Sequence, residues 1–194
     1  MSILKIEKHP LPPFYPDKAK WLLLGSFPPK QERWSMDFFY PNFQNDMWRI
    51  LGLVFFGEKN YFVNPAQKSF HKEKIINFLT EKGIALYDTA EAVIRHKDNA
   101  SDNDLEIVEA VDIGKIIHCL PHLQNIVATG QKASETLIEQ FAKIQISIPP
   151  PTIGSCADFI FEDRTLRLYR MPSSSRAYPL SVEKKAEVYG RMFV

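Results

Sequence analysis

Three short apolar runs, each closed by a turn residue, constrain this chain more than any other feature. Residues 21–25 read WLLLG, residues 84–88 IALYD and residues 125–129 NIVAT. Apolar runs of this length, without polar alternation, read as strands buried on both faces. Between them the apolar period becomes helical. Residues 46–56 bring Met47, Ile50, Leu51 and Val54 to one side, and Gly57 is a stop signal. Residues 67–82 set Phe70, Ile75, Phe78 and Leu79 against Lys68, Lys72, Glu73 and Glu81, and Gly83 closes the helix. Strands alternating with helices predict an α/β protein with a mainly parallel sheet.

The remaining segments fit that frame. Residues 97–112 carry six acids against the single Lys97 and read as a solvated loop leading into a helix. Asp112 is placed to cap that helix, which runs through His118 and ends before Pro121. Gly130 opens a helix over 131–144, Pro149 to Pro151 form a stiff connector, and 159–161 with 166–171 read as a strand pair. A last helix spans 181–192. The start is an extended, proline-rich lead-in over 1–17, and the whole of 1–194 reads as one domain.

Composition excludes several classes. With 24 Lys and Arg against 23 Asp and Glu, and 45% hydrophobic residues, the chain is neither disordered, coiled-coil nor collagen-like. Two cysteines are too few for a disulfide framework or a four-cysteine cluster. No apolar run approaches the ~20 residues that span a bilayer, and the start lacks a secretory h-region. The expectation is a soluble, cytoplasmic, monomeric protein. Charge is nonetheless uneven: from Arg164 to Arg191 seven basic residues face two acids, a net +5 against −4 elsewhere. Such asymmetry can steer a polyanion, or it can be a solvated face.

In open parallel sheets, ligands bind at the carboxyl ends of the strands. Loops 25–45, 129–131 and 171–178 should therefore meet. The first begins with the stiff turn Gly25, Ser26, Phe27, Pro28, Pro29 and continues into an aromatic stretch, FFYPNFQNDMW, over 38–48. Dense aromatics can wall a planar ligand or simply pack. Asn45 can hold a water or a ligand, or act only as a helix cap. The last loop reads Met171, Pro172, Ser173, Ser174, Ser175, Arg176, where short hydroxyls, backbone N–H groups and a guanidinium suit a phosphate. Asp88, at a strand end, either touches this site or caps the next turn. The pair His118 and His122 around Cys119 lacks the four spaced ligands of a metal site, and Gly130, Gln131, Lys132 lacks a full phosphate-loop pattern.

The order and spacing of LLLGSFPP, FFYPNFQNDMWRILG, GIALYD, ATGQKA and RMPSSSRAYPLS resemble the uracil-DNA glycosylase superfamily from about residue 18 to 193, nearest its hypoxanthine and mismatch-type branch. The resemblance implies a three-layer αβα fold with a central, mainly parallel four-stranded sheet. It implies hydrolysis of the N-glycosidic bond of a deaminated base, hypoxanthine or uracil, in DNA, without a metal or cofactor. Asn45 would position the water. Gly25, Ser26, Phe27, Tyr40, Thr129 and Met171 would bind the base. Pro172, Ser173, Ser174, Ser175 and Arg176 would grip the DNA. Phe27 stands where many relatives carry a water-activating Asp or Asn, and Met171 where the uracil-cleaving branch has His or Asn. These two departures favour the rival expectation, a nucleic-acid-binding module that kept the fold without the chemistry.

Overall fold

The computed structural model describes residues 5–96 and 104–193. Its centre is a five-stranded sheet whose strands, in order across it, are β5 (Ile84–Asp88), β2 (Trp21–Gly25), β8 (Asn125–Thr129), β10 (Arg164–Met171) and β9 (Ser155–Phe161). The first four in that order run parallel, and β9 pairs antiparallel with β10 at one edge. The resemblance implied four strands; the sheet has five, because both members of the strand pair expected over 159–161 and 166–171, β9 and β10, belong to it.

Side chains alternate across this sheet, and both faces are covered. Leu22, Leu24, Ile126, Ala128 and Leu168 meet α3 (Ile113–Cys119) and α4 (Gln131–Lys143) in one core. Leu23, Leu86, Val127 and Tyr169 meet α1 (Met47–Phe56), α2 (Lys72–Lys82) and α5 (Val182–Met192) in the other. Burial on both faces is the physical reason for the unbroken apolar runs. Each fully buried Leu contributes about 1.5–3 kcal/mol of burial free energy. From β2 the chain moves outward to β5, then returns to β8 on the other side of β2. The strand order therefore reverses between β2 and β8, the place where such sheets leave a crevice.

Three expectations change. Residues 105–110 are not loop: Leu105–Ala110 forms β7, antiparallel to β6 (Ala90–Arg95), with β1 (Ile6–Lys8) on β6's other edge. Leu105 is buried against Phe27, so an alternating face hidden by acidic neighbours decided the strand. Residues 97–103 of that acidic stretch lie outside the described residues. The helix expected from 67 starts at Lys72, because β4 (Ser69–Phe70) pairs first with β3 (Val63–Asn64). The lead-in is sheet as well as extended chain: β1 pairs with β6, and Phe14 exchanges backbone hydrogen bonds of 3.0 and 2.9 Å with Leu86.

The basic C-terminal stretch does not form one face. Arg164 donates to the carbonyls of Ile117, Leu120 and Leu123 and so caps the end of α3. It sits at the start of β10, roughly 23 Å of strand from the Met171 end. Arg167 pairs with Asp158, and Lys185 is fully buried. Asp112 caps α3 as expected, accepting from the Lys115 amide at 3.0 Å.

Candidate active-site cleft

A cleft of about 540 Å³ opens at the carboxyl ends of β2 and β8. That volume lies within the range of small-ligand sites. The turn after β2, the aromatic segment before α1, and the serine-rich turn after β10 all border it. Gly25, Ser26, Phe27, Tyr40, Asn45 and Thr129 line it. Ser173, Ser174, Ser175 and Arg176 line it too. The loops expected to meet do meet.

Two expected site residues fall outside. Met171 is 1% exposed and packs into the core beneath α1, α2 and α5, so its side chain does not reach a base. It is the last residue of β10, and strand alternation turns it, like Tyr169, to the face covered by α1, α2 and α5. Pro172 is buried too, and its carbonyl accepts from the Tyr189 hydroxyl at 2.9 Å. Burial pushes that phenol well above its ordinary pKa, with a smaller contribution from Tyr40, so it stays a donor.

Asp88 lines the cleft and is backed by a residue that the sequence did not connect to it. Asp88 ends β5 and stands opposite Gly25 on β2. Its Oδ2 lies 2.8 Å from His9 Nε2, and the two side chains are 9% and 3% exposed. On the other side of the ring, His9 Nδ1 lies 2.8 Å from the Leu11 carbonyl oxygen and 3.2 Å from the Leu11 amide nitrogen. Oδ1 lies over Gly25 and lines the cleft, and among the described residues none donates a hydrogen bond to it. Phe27 meets the His9 ring edge-on at 5.3 Å and supports the pair from the side. The turn itself is fixed where Thr89 and Ala90 amides donate to the Gly25 and Ser26 carbonyls. His9 lies 79 residues from Asp88, so no local spacing could have announced the pair.

Tyr40 adopts φ +48°, a left-handed conformation uncommon outside glycine, at the cleft wall. Its ring stands edge-on to Trp48 at 5.9 Å. Its hydroxyl lies 3.0 Å from Thr129 Oγ1, and Thr129 in turn donates to the Leu24 carbonyl at 3.2 Å. Thr129 therefore has no proton left to offer a ligand. It lines the cleft, as expected, and also anchors Tyr40.

Asn45 faces the cleft one residue before the Asp46 cap of α1. Its Oδ1 accepts from the Met47 amide at 2.9 Å, which leaves one lone pair of that oxygen for another donor. Its carbonyl and that of Phe43 accept from Arg49 at 3.0 and 2.8 Å. The Arg49 guanidinium stacks on Phe43 and Phe70. Burial, then the nearby Arg176 charge, lower its pKa. In the serine-rich turn, Ser173 and Ser175 accept from the amides two residues on, at 3.2 and 3.3 Å. Acting as acceptors there, both hydroxyls keep their protons for an outside acceptor. Ser174 is 3% exposed, and its carbonyl accepts from the Asp46 amide.

Among the described residues no three His, Cys, Asp or Glu side chains are grouped to hold a metal; His118 instead meets Glu162 at 3.0 Å. No helix among them is long and apolar enough to cross a membrane.

The sheet order and the cleft define an α/β protein whose cleft lies at a strand-order reversal. No family model and no curated protein matches the sequence. Among solved structures, the chain shares its fold with the solution NMR structure of a "putative Uracil DNA glycosylase" from Methanosarcina acetivorans. The identity is 22%, the TM-score is 0.62, and the match covers 97% of this chain and 98% of that one.

Proposed function

We propose that this chain is a DNA glycosylase of the uracil-DNA glycosylase superfamily that releases a deaminated base, hypoxanthine or uracil, by hydrolysis. The observation that carries the reading is one cleft bordered by Asn45, Tyr40, the Asp88 carboxylate and the serine-rich turn. An enzyme of this kind must extrude the nucleotide from the stack, at a cost of a few kcal/mol. Ser173, Ser175 and Arg176 would grip flanking phosphates and help offset that cost. The base would then lie against Tyr40.

Asp88 accounts for the choice of base. A carboxylate accepts hydrogen bonds and cannot donate them. Deamination turns the ring-nitrogen acceptor of adenine or cytosine into the N–H of hypoxanthine or uracil. Oδ1 would accept that N–H and repel the lone pair of the parent base. As the glycosidic bond breaks, its electron pair leaves with the base, a water oxygen bonds to the sugar's anomeric carbon, and the proton that water sheds passes through solvent to the base anion. Asn45 does not ionise, so its contribution is to hold that water in line.

The test is a release assay on uracil, hypoxanthine, xanthine and thymine-mismatch oligonucleotides, single- and double-stranded. Release of hypoxanthine or uracil, with adenine and cytosine untouched, is expected. DNA binding without release of any of these bases would establish the rival reading, a binding module, which Phe27 at the head of the cleft favours.

A further inference from the structure

Lys185 is 0% exposed, in the first turns of a helix whose other charged residues reach solvent. Its Nζ donates to Asp46 Oδ2 at 3.0 Å and to the Ser175 carbonyl at 2.8 Å. Asp46 is 2% exposed and directly follows Asn45. The Asp46 amide donates to the Ser174 carbonyl at 2.9 Å. One turn on, Tyr189 holds the Pro172 carbonyl. Residues 185 and 189 share a helix face, so α5 grips both ends of the serine-rich turn from behind. The Arg176 guanidinium reaches the other oxygen of Asp46 at 3.4 Å, and its side chain is 55% exposed. The contact is long and solvated, and it leaves Arg176 free to turn outward. The contact to Lys185 is short and dry.

We propose that Lys185 is a positioning residue that couples the phosphate-gripping turn to Asn45 through Asp46. Asp46 and Lys185 form the fixed strut, and Arg176 is the arm that leaves Asp46 for a DNA phosphate. Lys185 touches neither DNA nor base. Its loss disturbs the turn and the Asn45 backbone together. This rests on the glycosylase reading for its chemical half and on DNA binding alone for its other half.

Removing one partner leaves a buried charge and threatens folding, whereas replacing both with apolar residues is often neutral. The test therefore pairs K185M with the double variant D46L/K185M, each checked by thermal unfolding. In the folded double variant, single-turnover release at saturating DNA should fall about 30-fold or more and Kd should rise about 10-fold. The slope of log Kd against log salt should match the wild type, because a dry charge releases no counterions. On an Asn45→Ala background the double change should cost little further release yet the same loss of binding. Wild-type release and binding by the folded double variant would overturn the proposal. So would additive losses of release on that background, or a salt slope smaller by about one. Should the wild type release no base, the glycosylase reading fails, and the binding and salt measurements still decide whether the strut sets the turn.

Discussion

Gly25 and Asp88 face each other on adjacent parallel strands, and a Cβ on residue 25 would lie 2.5 Å from Asp88 Oδ1. That distance is shorter than any ordinary contact, so the carboxylate holds its place only because residue 25 has no side chain. Gly25→Ala should push Asp88 off His9 and cost about 1–3 kcal/mol by overpacking. Thermal unfolding and base release should both show the loss. A variant with wild-type melting and release would mean that Asp88 is not held rigidly.

Asp88→Asn exchanges an acceptor-only group for one that also donates. The preference for hypoxanthine over adenine should fall by about 10-fold or more, read as the ratio of single-turnover release rates. An unchanged ratio would remove Asp88 from base selection while leaving the glycosylase reading intact.

Asn45→Ala should lower single-turnover release by about 100-fold with Kd for DNA nearly unchanged. The Met47 amide also loses its acceptor, at about 1 kcal/mol of stability. Full release by the folded variant would assign the water to another group.

Arg176→Ala should weaken DNA binding and reduce the salt slope by about one, as expected of a phosphate contact. Arg164→Ala is the internal comparison. Arg164 caps α3 far from the cleft, so its removal should lower stability and leave the salt slope alone. Equal effects on the slope would show that overall charge, and not the site, drives binding.

Asp112→Ala should cost about 1 kcal/mol through loss of the α3 cap. Hydrogen bonding from the Lys115 amide holds the Asp112 carboxyl below its usual value. With the folded value below the unfolded one, the contribution is present above the ordinary carboxylate range. It is lost as pH falls through the folded value. Wild type and variant should therefore converge in stability in acid, as denaturant midpoints at pH 7 and pH 2 would show.

Sequence by itself determined the frame. WLLLG, IALYD and NIVAT specify buried parallel strands because only doubly covered strands can be apolar at every position. Asp112, Gly57, Gly83 and Ser181 mark helix ends by local hydrogen bonding and backbone conformation, which need only neighbouring residues. The strand-end rule then brought Asn45 and the serine-rich turn toward one cleft. Tertiary structure alone decided the rest. His9 and Asp88 meet across 79 residues, Lys185 and Asp46 across 139, and neither pair has a spacing to read. The surroundings of Met171 and Thr129 were settled for a related reason. Which face a strand's last residue turns to, and whether its hydroxyl is already spent, depends on neighbours that only the folded sheet supplies.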